Sequence, residues 1–261
     1  MTDMVILAID TASAAVSVAV HDGDAVLAER QTPPSPRHAE LLAPAVGEVL
    51  AEVGLTPRDV TVIGVGVGPG PFTGLRVGLV TARVMGHALG VDVHGVCSLD
   101  VVAAGAARLG LSGEFLVATD ARRREVYWGR YVADPPAAGI GVSPNGALGA
   151  PNGASPAAGA TAGPTPGWRR LEGPHVGAPA DVKRAGLPVA GRGALLYPGA
   201  LLESGDAARA PLDPTAADLA GIVAAALRTP EASGVLLPPE PLYLRRPDAR
   251  EPGARKRVLP S

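Results

Sequence analysis

The sequence predicts an α/β fold with mixed sheets, built from two similar halves. Three observations carry that expectation. Short apolar runs such as MVILAI (4–9) and VTVIGVGV (60–67) have strand length and the composition of strands covered on both faces. Between them, longer segments repeat apolar residues at helical spacing. Finally, LAID ending at Asp10 and followed by Val16 is echoed by VATD ending at Asp120 and followed by Val126.

Taken in order, the first run leads into Val16, Val18 and Val20 alternating with small residues, and Asp22-Gly23 forms the tip of a hairpin into AVLAER. Ser35-Pro36 reads as a helix start, with Leu41, Leu42, Ala45, Val46, Val49, Leu50 and Val53 at helical spacing until Gly54. Pro44 is a misfit, because an interior proline costs roughly 3 kcal/mol. Either the regular helix starts near Ala43 or its first turn bends. Thr56-Pro57-Arg58-Asp59 is a capping signature for one short turn. After the second strand, a helix from about Thr73 to Leu89 carries Leu75, Leu79, Val80, Val84 and Ala88 as one apolar face. VHGV (93–96) is a short strand, 98–109 a helix, and FLVAT (115–119) with EVYWGRYV (125–132) a second hairpin. Residues 133–167 lack the large apolar side chains that offset ordering entropy and are expected to be a disordered insertion. LPVAGRGALLYPGALLE then reads as strand, turn and helix, and 214–227 as another amphipathic helix. Two halves, each opening with a β-hairpin whose turn carries an aspartate, suit an actin-like or hexokinase-like chain. The expected boundaries are 1–110 and 111–247, with 248–261 a basic, flexible tail.

Composition narrows the function classes. A hydrophobic content of 47% is ample for a core, and a net charge of -2 gives no global attraction to nucleic acid. Any RNA contact has to come from a local patch or a partner. The single Cys97 permits no internal disulfide and fits a reducing compartment. MTDMVILAIDTAS has no basic leader region, and no apolar run reaches the roughly 18 residues of a membrane span. The expected location is the cytoplasm, with no membrane contact.

The glycine-rich stretch VGPGPFTGLRVG (67–78) poses the main question. It contains neither a P-loop nor a G-x-G-x-x-G fingerprint, so Gly68, Gly70 and Thr73 admit two readings. One is an anion cradle at a helix N-terminus; the other is a tight structural junction. Asp10, followed by Thr11 and Ser13, is either a carboxylate that holds Mg²⁺ through water or a turn aspartate, and Asp120 suits either role. No acidic residue near Gly68 could act as base toward a hydroxyl acceptor, which weakens a phosphotransferase reading. His21, His38, His87, His94 and His175 show no metal-motif spacing and read as surface or helix residues. Cys97 precedes a helix, whose dipole lowers a thiol pKa, but without a histidine partner it reads as a buried small hydrophobe. In the helix beginning near Thr73, Gly78, Ala82, Gly86 and Ala88 would let another helix approach closely. The basic end from Arg245 reads as a solvated terminus or as an RNA phosphate contact.

Together, ILAIDTASAAVSVAV, SPRHAELLAP, GVGPGPFTGLRVGL, ATDARRREVY and PLYLRRP, in this order, resemble the TsaB (YeaZ) family over roughly 4–132 and, more loosely, 187–247. The resemblance implies an actin-like (ASKHA) fold of two ribonuclease-H-like subdomains and a paralogue of TsaD. In that family's setting TsaD transfers threonylcarbamoyl to an adenosine beside the tRNA anticodon, using a metal held by an H-x-E-G-H motif. Here the corresponding segment reads VDVHGVCSLDVV, with only His94 nearby, so no metal site and no catalytic residue is implied. The chain would instead be an accessory scaffold that binds TsaD, with TsaE as a further partner, tRNA reached through the complex, and a homodimer when free. The partner face would include His38, Leu41, Leu42, Arg76, Leu79, Ala82, Arg83 and Gly86. No cofactor is required by this chain, ATP or ADP at the TsaD interface being the open case. A degenerate nucleotide site would comprise Asp10, Thr11, Ser13, Gly68, Gly70, Thr73, Asp120, Gly191 and Gly193. Pro71 stands where the family commonly has serine, which weakens a phosphate role for the loop. The competing reading is an ATP-dependent phosphotransferase built on Asp10, Asp120 and Gly191 to Gly193, and a weaker third is a metalloprotease.

Overall fold

Alternation along β1 (Ile6–Asp10) sets the architecture. In a computed structural model, which describes residues 4–135, 167–229 and 234–245, Leu7 and Ile9 face one hydrophobic layer while Ile6 and Ala8 face another. All four are fully buried, and each larger side chain contributes roughly 1.5–3 kcal/mol by leaving water. A strand so placed must lie in a sheet covered on both sides.

The first sheet has the order β3-β2-β1-β4-β5, with β2 (Ser17–His21), β3 (Val26–Gln31), β4 (Val62–Gly66) and β5 (Asp92–Val96). β1 to β3 form an antiparallel meander, and β4 and β5 add parallel strands through helical crossovers. The second sheet repeats this plan in the order β8-β7-β6-β9, from β6 (Gly113–Asp120), β7 (Val126–Ala133), β8 (Trp168–Gly177) and β9 (Val189–Ala190). The echo in the sequence is therefore topological: Asp10 pairs with Ser17 at the end of one hairpin, and Asp120 pairs with Val126 at the end of the other. The fold is α/β and actin-like.

Helices fill three layers. α1 (His38–Glu52) and α2 (Phe72–Leu89) cover the Leu7/Ile9 face. α3 (Ser98–Arg108) and α6 (Ala216–Arg228) lie between the sheets. α4 (Arg192–Leu196) and α5 (Pro198–Leu201) cover the far side of the second sheet. At Gly64 of β4 an added Cβ would lie 2.7 Å from Leu219 of α6, so glycine there lets the helix settle onto the sheet. Arg108 of α3 pairs with Asp218 of α6 at 2.7 Å, and Thr215 caps α6 by accepting from the Asp218 amide.

Several expectations are corrected. α6 packs on the first sheet although it follows the second, so the halves are not the contiguous spans 1–110 and 111–247. α1 begins at His38, not at Ser35-Pro36; the Ser35 hydroxyl accepts instead from the Arg37 amide, and Pro44 lies inside the helix. α2 starts at Phe72, with Pro71 as its N-cap, one residue before the expected Thr73. Val80 and Val84 are 60% and 61% exposed, because the inner face of α2 is formed by Leu75, Leu79, Ala82 and three glycines. Ala88 is exposed with them. The expected helix after Gly191 breaks at Tyr197 into α4 and α5. His21 is buried, with Nδ1 accepting from the Gly23 amide, and burial lowers its pKa. β8 was not legible in sequence, since Gly173-Pro174 interrupts it. Most of the 133–167 insertion and all of the 248–261 tail lie outside the described residues.

Candidate functional site

The two aspartate turns meet across a small, open cleft between the halves. Ser13, Pro71 and Ser98 line one wall, and Asp120, Arg192 and Asp213 the other. Of the residues expected around a nucleotide, the structure brings Ser13 and Asp120 to this cleft. Ser98, Arg122, Arg192 and Asp213 were missed, because only the folded chain brings α3, the β6–β7 turn and the segment before α6 together. The carboxylates absent near Gly68 in sequence are thus supplied by the other half.

Asp10 is built inward. Its Oδ1 accepts from the Ala12 amide and its Oδ2 from the Ser98 hydroxyl, both at 2.8 Å. The carboxylate lies so close over Gly66 that a Cβ there would be 1.9 Å from Oδ2. Burial is the main cause that pushes its pKa up to about 6, with the charge of Asp213 adding to it. Both oxygens of Asp10 accept hydrogen bonds from the chain itself, and Asp10 is not among the residues that line the cleft. Asp120 accepts from the Arg122 amide at 2.7 Å in an Asx turn. Asp213 receives Arg192 in a two-pronged pair, with Nε 2.9 Å from Oδ1. Among the described residues, no three of His, Cys, Asp and Glu gather within metal-binding range.

The glycines of the 67–78 stretch meet protein backbone. A Cβ on Gly70 would be 2.3 Å from the Ala12 carbonyl oxygen, and one on Gly74 would be 2.7 Å from that of Thr11. The Thr11 hydroxyl donates to the Gly74 carbonyl at 2.8 Å and accepts from the Gly78 amide at 3.0 Å. His38 of α1 bonds through Nε2 to the Ser13 carbonyl at 2.9 Å. Thr11, Ser13, His38 and the glycines therefore dock α1 and α2 onto the exit of β1, and Thr11 and His38 are fasteners of the fold. Gly68, at φ +89°, takes a backbone shape that suits glycine, and its carbonyl accepts from the Ser98 amide at 2.7 Å. Thr73 is exposed on the first turn of α2. Gly191 and Gly193 serve the same packing role in the second half, where added Cβ atoms would meet Ala118 at 2.4 and 2.9 Å. The loop's tight-junction geometry is the one its packing produces.

The outer helical face differs from the expected one. Leu42, Leu79, Ala82 and Gly86 belong to the interior: a Cβ on Gly86 would be 2.3 Å from Val93, and Leu42, Leu79 and Ala82 are at most 3% exposed. Small residues outward are found on α1, where Ala39, Ala43, Gly47 and Ala51 are all exposed at four-residue spacing. Beside them α2 exposes Arg76, Val80, Arg83 and Val84. Arg76 is held by the last described segment, with Nε donating to the Tyr243 hydroxyl at 2.8 Å and the guanidinium near the rings of Phe72 and Tyr243.

Comparisons with known proteins bear on the family and the fold. A family model described as TsaD, tRNA N6-adenosine threonylcarbamoyltransferase, matches residues 32–151. The TsaB of Escherichia coli, a tRNA threonylcarbamoyladenosine biosynthesis protein, is 40% identical over 133 residues, 50% of this chain and 56% of that one. The solved structure of YeaZ from Pseudomonas aeruginosa superposes with a TM-score of 0.66 at 27% identity, covering 92% of this chain and all of that one. The chain belongs to the TsaB (YeaZ) family. Within that family, a Mycobacterium tuberculosis protein of uncharacterised function is 39% identical over 248 residues, 94% of this chain and 93% of that one. A Mycobacterium leprae relative is 40% identical over 253 residues, but the chain spans 56% of its length.

Proposed function

We propose that the chain is a non-catalytic partner of TsaD in the complex that transfers threonylcarbamoyl to tRNA, with TsaE as a further partner. The observation that carries this reading is the α1–α2 face. Val80 and Val84, 60% and 61% exposed, stand beside the exposed Ala39, Ala43, Gly47 and Ala51. The opposite side of each helix is built into the sheet. Small residues on one helix let a partner helix come close, and the two valines supply apolar area. The same face would serve a second copy of the chain when TsaD is absent.

The cleft supports the non-catalytic part. Arg192 is tied to Asp213, Asp10 is bonded inward, and the glycines are filled by the chain's own backbone. Among the described residues no open phosphate cradle is formed, so ATP or ADP is read as a ligand shared at the TsaD interface. The test is co-elution of the full chain with TsaD of the same organism, combined with a transfer assay with and without it. Val80→Glu/Val84→Glu is expected to abolish co-elution and stimulation while leaving unfolding stability within about 0.5 kcal/mol, as for other surface substitutions. Retained co-elution by that variant would refute the assigned face, and absent co-elution by the unaltered chain would refute the function.

A further inference from the structure

α2 carries cations and no acid. Its sequence, FTGLRVGLVTARVMGHAL, holds Arg76, Arg83 and His87 without a single aspartate or glutamate. These three recur with Val80 and Val84 at helical spacing, and all five are exposed, so they form one outward stripe. The sheet-facing side of the helix is taken by Leu75, Leu79, Ala82 and glycines. The stripe therefore has no role in the core.

Arg76 is fixed in place by aromatic neighbours. Its Nε donates to the Tyr243 hydroxyl at 2.8 Å, and its guanidinium carbon lies 5.8 Å and 5.7 Å from the ring centres of Phe72 and Tyr243. Those two rings are themselves 4.7 Å apart. Among the described residues the terminal nitrogens of Arg76 make no hydrogen bond, and neither Arg76 nor Arg83 pairs with a carboxylate. An open guanidinium fork suits a carboxylate, which it can bind through two parallel bonds, and holding it beforehand lowers the ordering cost of binding. Arg83 follows seven residues later, about 10 Å along the helix axis.

The rest of the α1–α2 face leaves these charges unanswered. On α1, Glu40 pairs with Arg37, and Glu48 and Glu52 pair with Arg30 at 3.5 and 3.1 Å. A second copy of this chain packed on the face would set against α2 either arginines or carboxylates that already have arginine partners. We infer that Arg76 and Arg83 are specificity residues, which select a partner helix bringing carboxylates about two turns apart around a small or apolar centre and disfavour a second copy. This deepens, and rests on, the TsaD reading of the same face. Val80 and Val84, set among the cations, favour a helix over a nucleic acid, because a phosphodiester backbone gains nothing from apolar side chains.

The test titrates TsaD of the same organism into the full chain by calorimetry, at salt concentrations from about 50 to about 500 mM, over which exposed charges become screened. Arg76→Gln/Arg83→Gln is expected to weaken binding about tenfold or more at low salt and to flatten its salt dependence, with Arg83→Glu weakening it further. Arg169→Glu, an exposed change on β8 of the second sheet, is expected to bind like the unaltered chain. Self-association of the unaltered chain, followed by sedimentation equilibrium, is expected to be weaker at low salt than the TsaD complex and not to weaken further as salt rises. TsaD binding by the glutamine variant within about twofold of the unaltered chain would overturn the inference. A self-association that falls with salt as steeply as the TsaD complex would do the same. So would capture of a labelled RNA stem-loop through the two arginines with TsaD affinity unchanged, which would point to nucleic acid. Tight TsaD binding that survives these substitutions leaves the proposed function standing, whereas no binding by the unaltered chain at any salt refutes both.

Discussion

Replacing Asp10 with asparagine isolates the most informative group in the cleft. The folded chain holds the Asp10 proton to about pH 6, whereas the unfolded chain releases it near 3.8. Between those values the folded state binds more protons, so this group's contribution to stability falls as pH rises through the window and is flat above it. At about 1.4 kcal/mol for each pH unit, the full loss is roughly 3 kcal/mol. Asp10→Asn is nearly isosteric, keeps an oxygen to accept from the Ala12 amide, and requires only that the Ser98 hydroxyl reverse and accept. Relative to this variant, the unaltered chain is expected to lose roughly 2 kcal/mol of that stability between pH 4 and pH 7. Urea unfolding at a series of pH values, followed by the fluorescence of Trp128 and Trp168, reads the difference, and the other carboxylates cancel in it. A difference that stays constant to within about 0.5 kcal/mol would refute the reasoning. It would mean that Asp10 is charged and hydrated in the folded protein, as a cation-holding carboxylate would be.

Other expectations follow from the same contacts. Gly70→Ala drives a methyl into the backbone of Ala12 and is expected to cost at least 1–3 kcal/mol in urea unfolding, whereas Gly47→Ala, with nothing within 4 Å, is expected to gain about 0.5–1 kcal/mol. Equal effects at the two glycines would remove the packing account of the loop. Thr11→Val leaves the Gly74 carbonyl and Gly78 amide without the bridging hydroxyl and is expected to destabilise by about 1–3 kcal/mol, measured in the same way. Cys97 is fully buried and its thiol is pushed up to about 12 by burial, so it is expected to react with a disulfide reagent at pH 8 only after unfolding. Rapid labelling of the native chain would contradict its placement.

Much of the fold was legible because its signals are local. The Asp22-Gly23 turn, the Thr56 capping box and the paired aspartate hairpins follow from residues within a few positions of one another. The helical faces were less legible. Periodicity places Leu75, Leu79, Val80 and Val84 on one broad stripe, but it cannot say which edge of that stripe meets the sheet. Gly74, Gly78 and Gly86 decide it: the sheet and the Thr11 loop press against those glycines, which turns Val80 and Val84 outward. The candidate site was half legible for a related reason. Asp10 and Asp120 stand out through the repeat, whereas Ser98, Arg192 and Asp213 carry no mutual spacing in sequence and meet only across the cleft.

The sequence by itself determined the α/β class, the two-half plan, the family and the buried character of Cys97, since hydrophobic period, turn chemistry and motif order are written along the chain. Tertiary structure alone decided what the conspicuous residues do. A carboxylate is a ligand or a fastener according to what surrounds its oxygens, and a glycine is a cradle or a contact according to what lies where its Cβ would be. Asp10 became a buried acceptor and the 67–78 glycines became close contacts because the exit of β1 packs against α2.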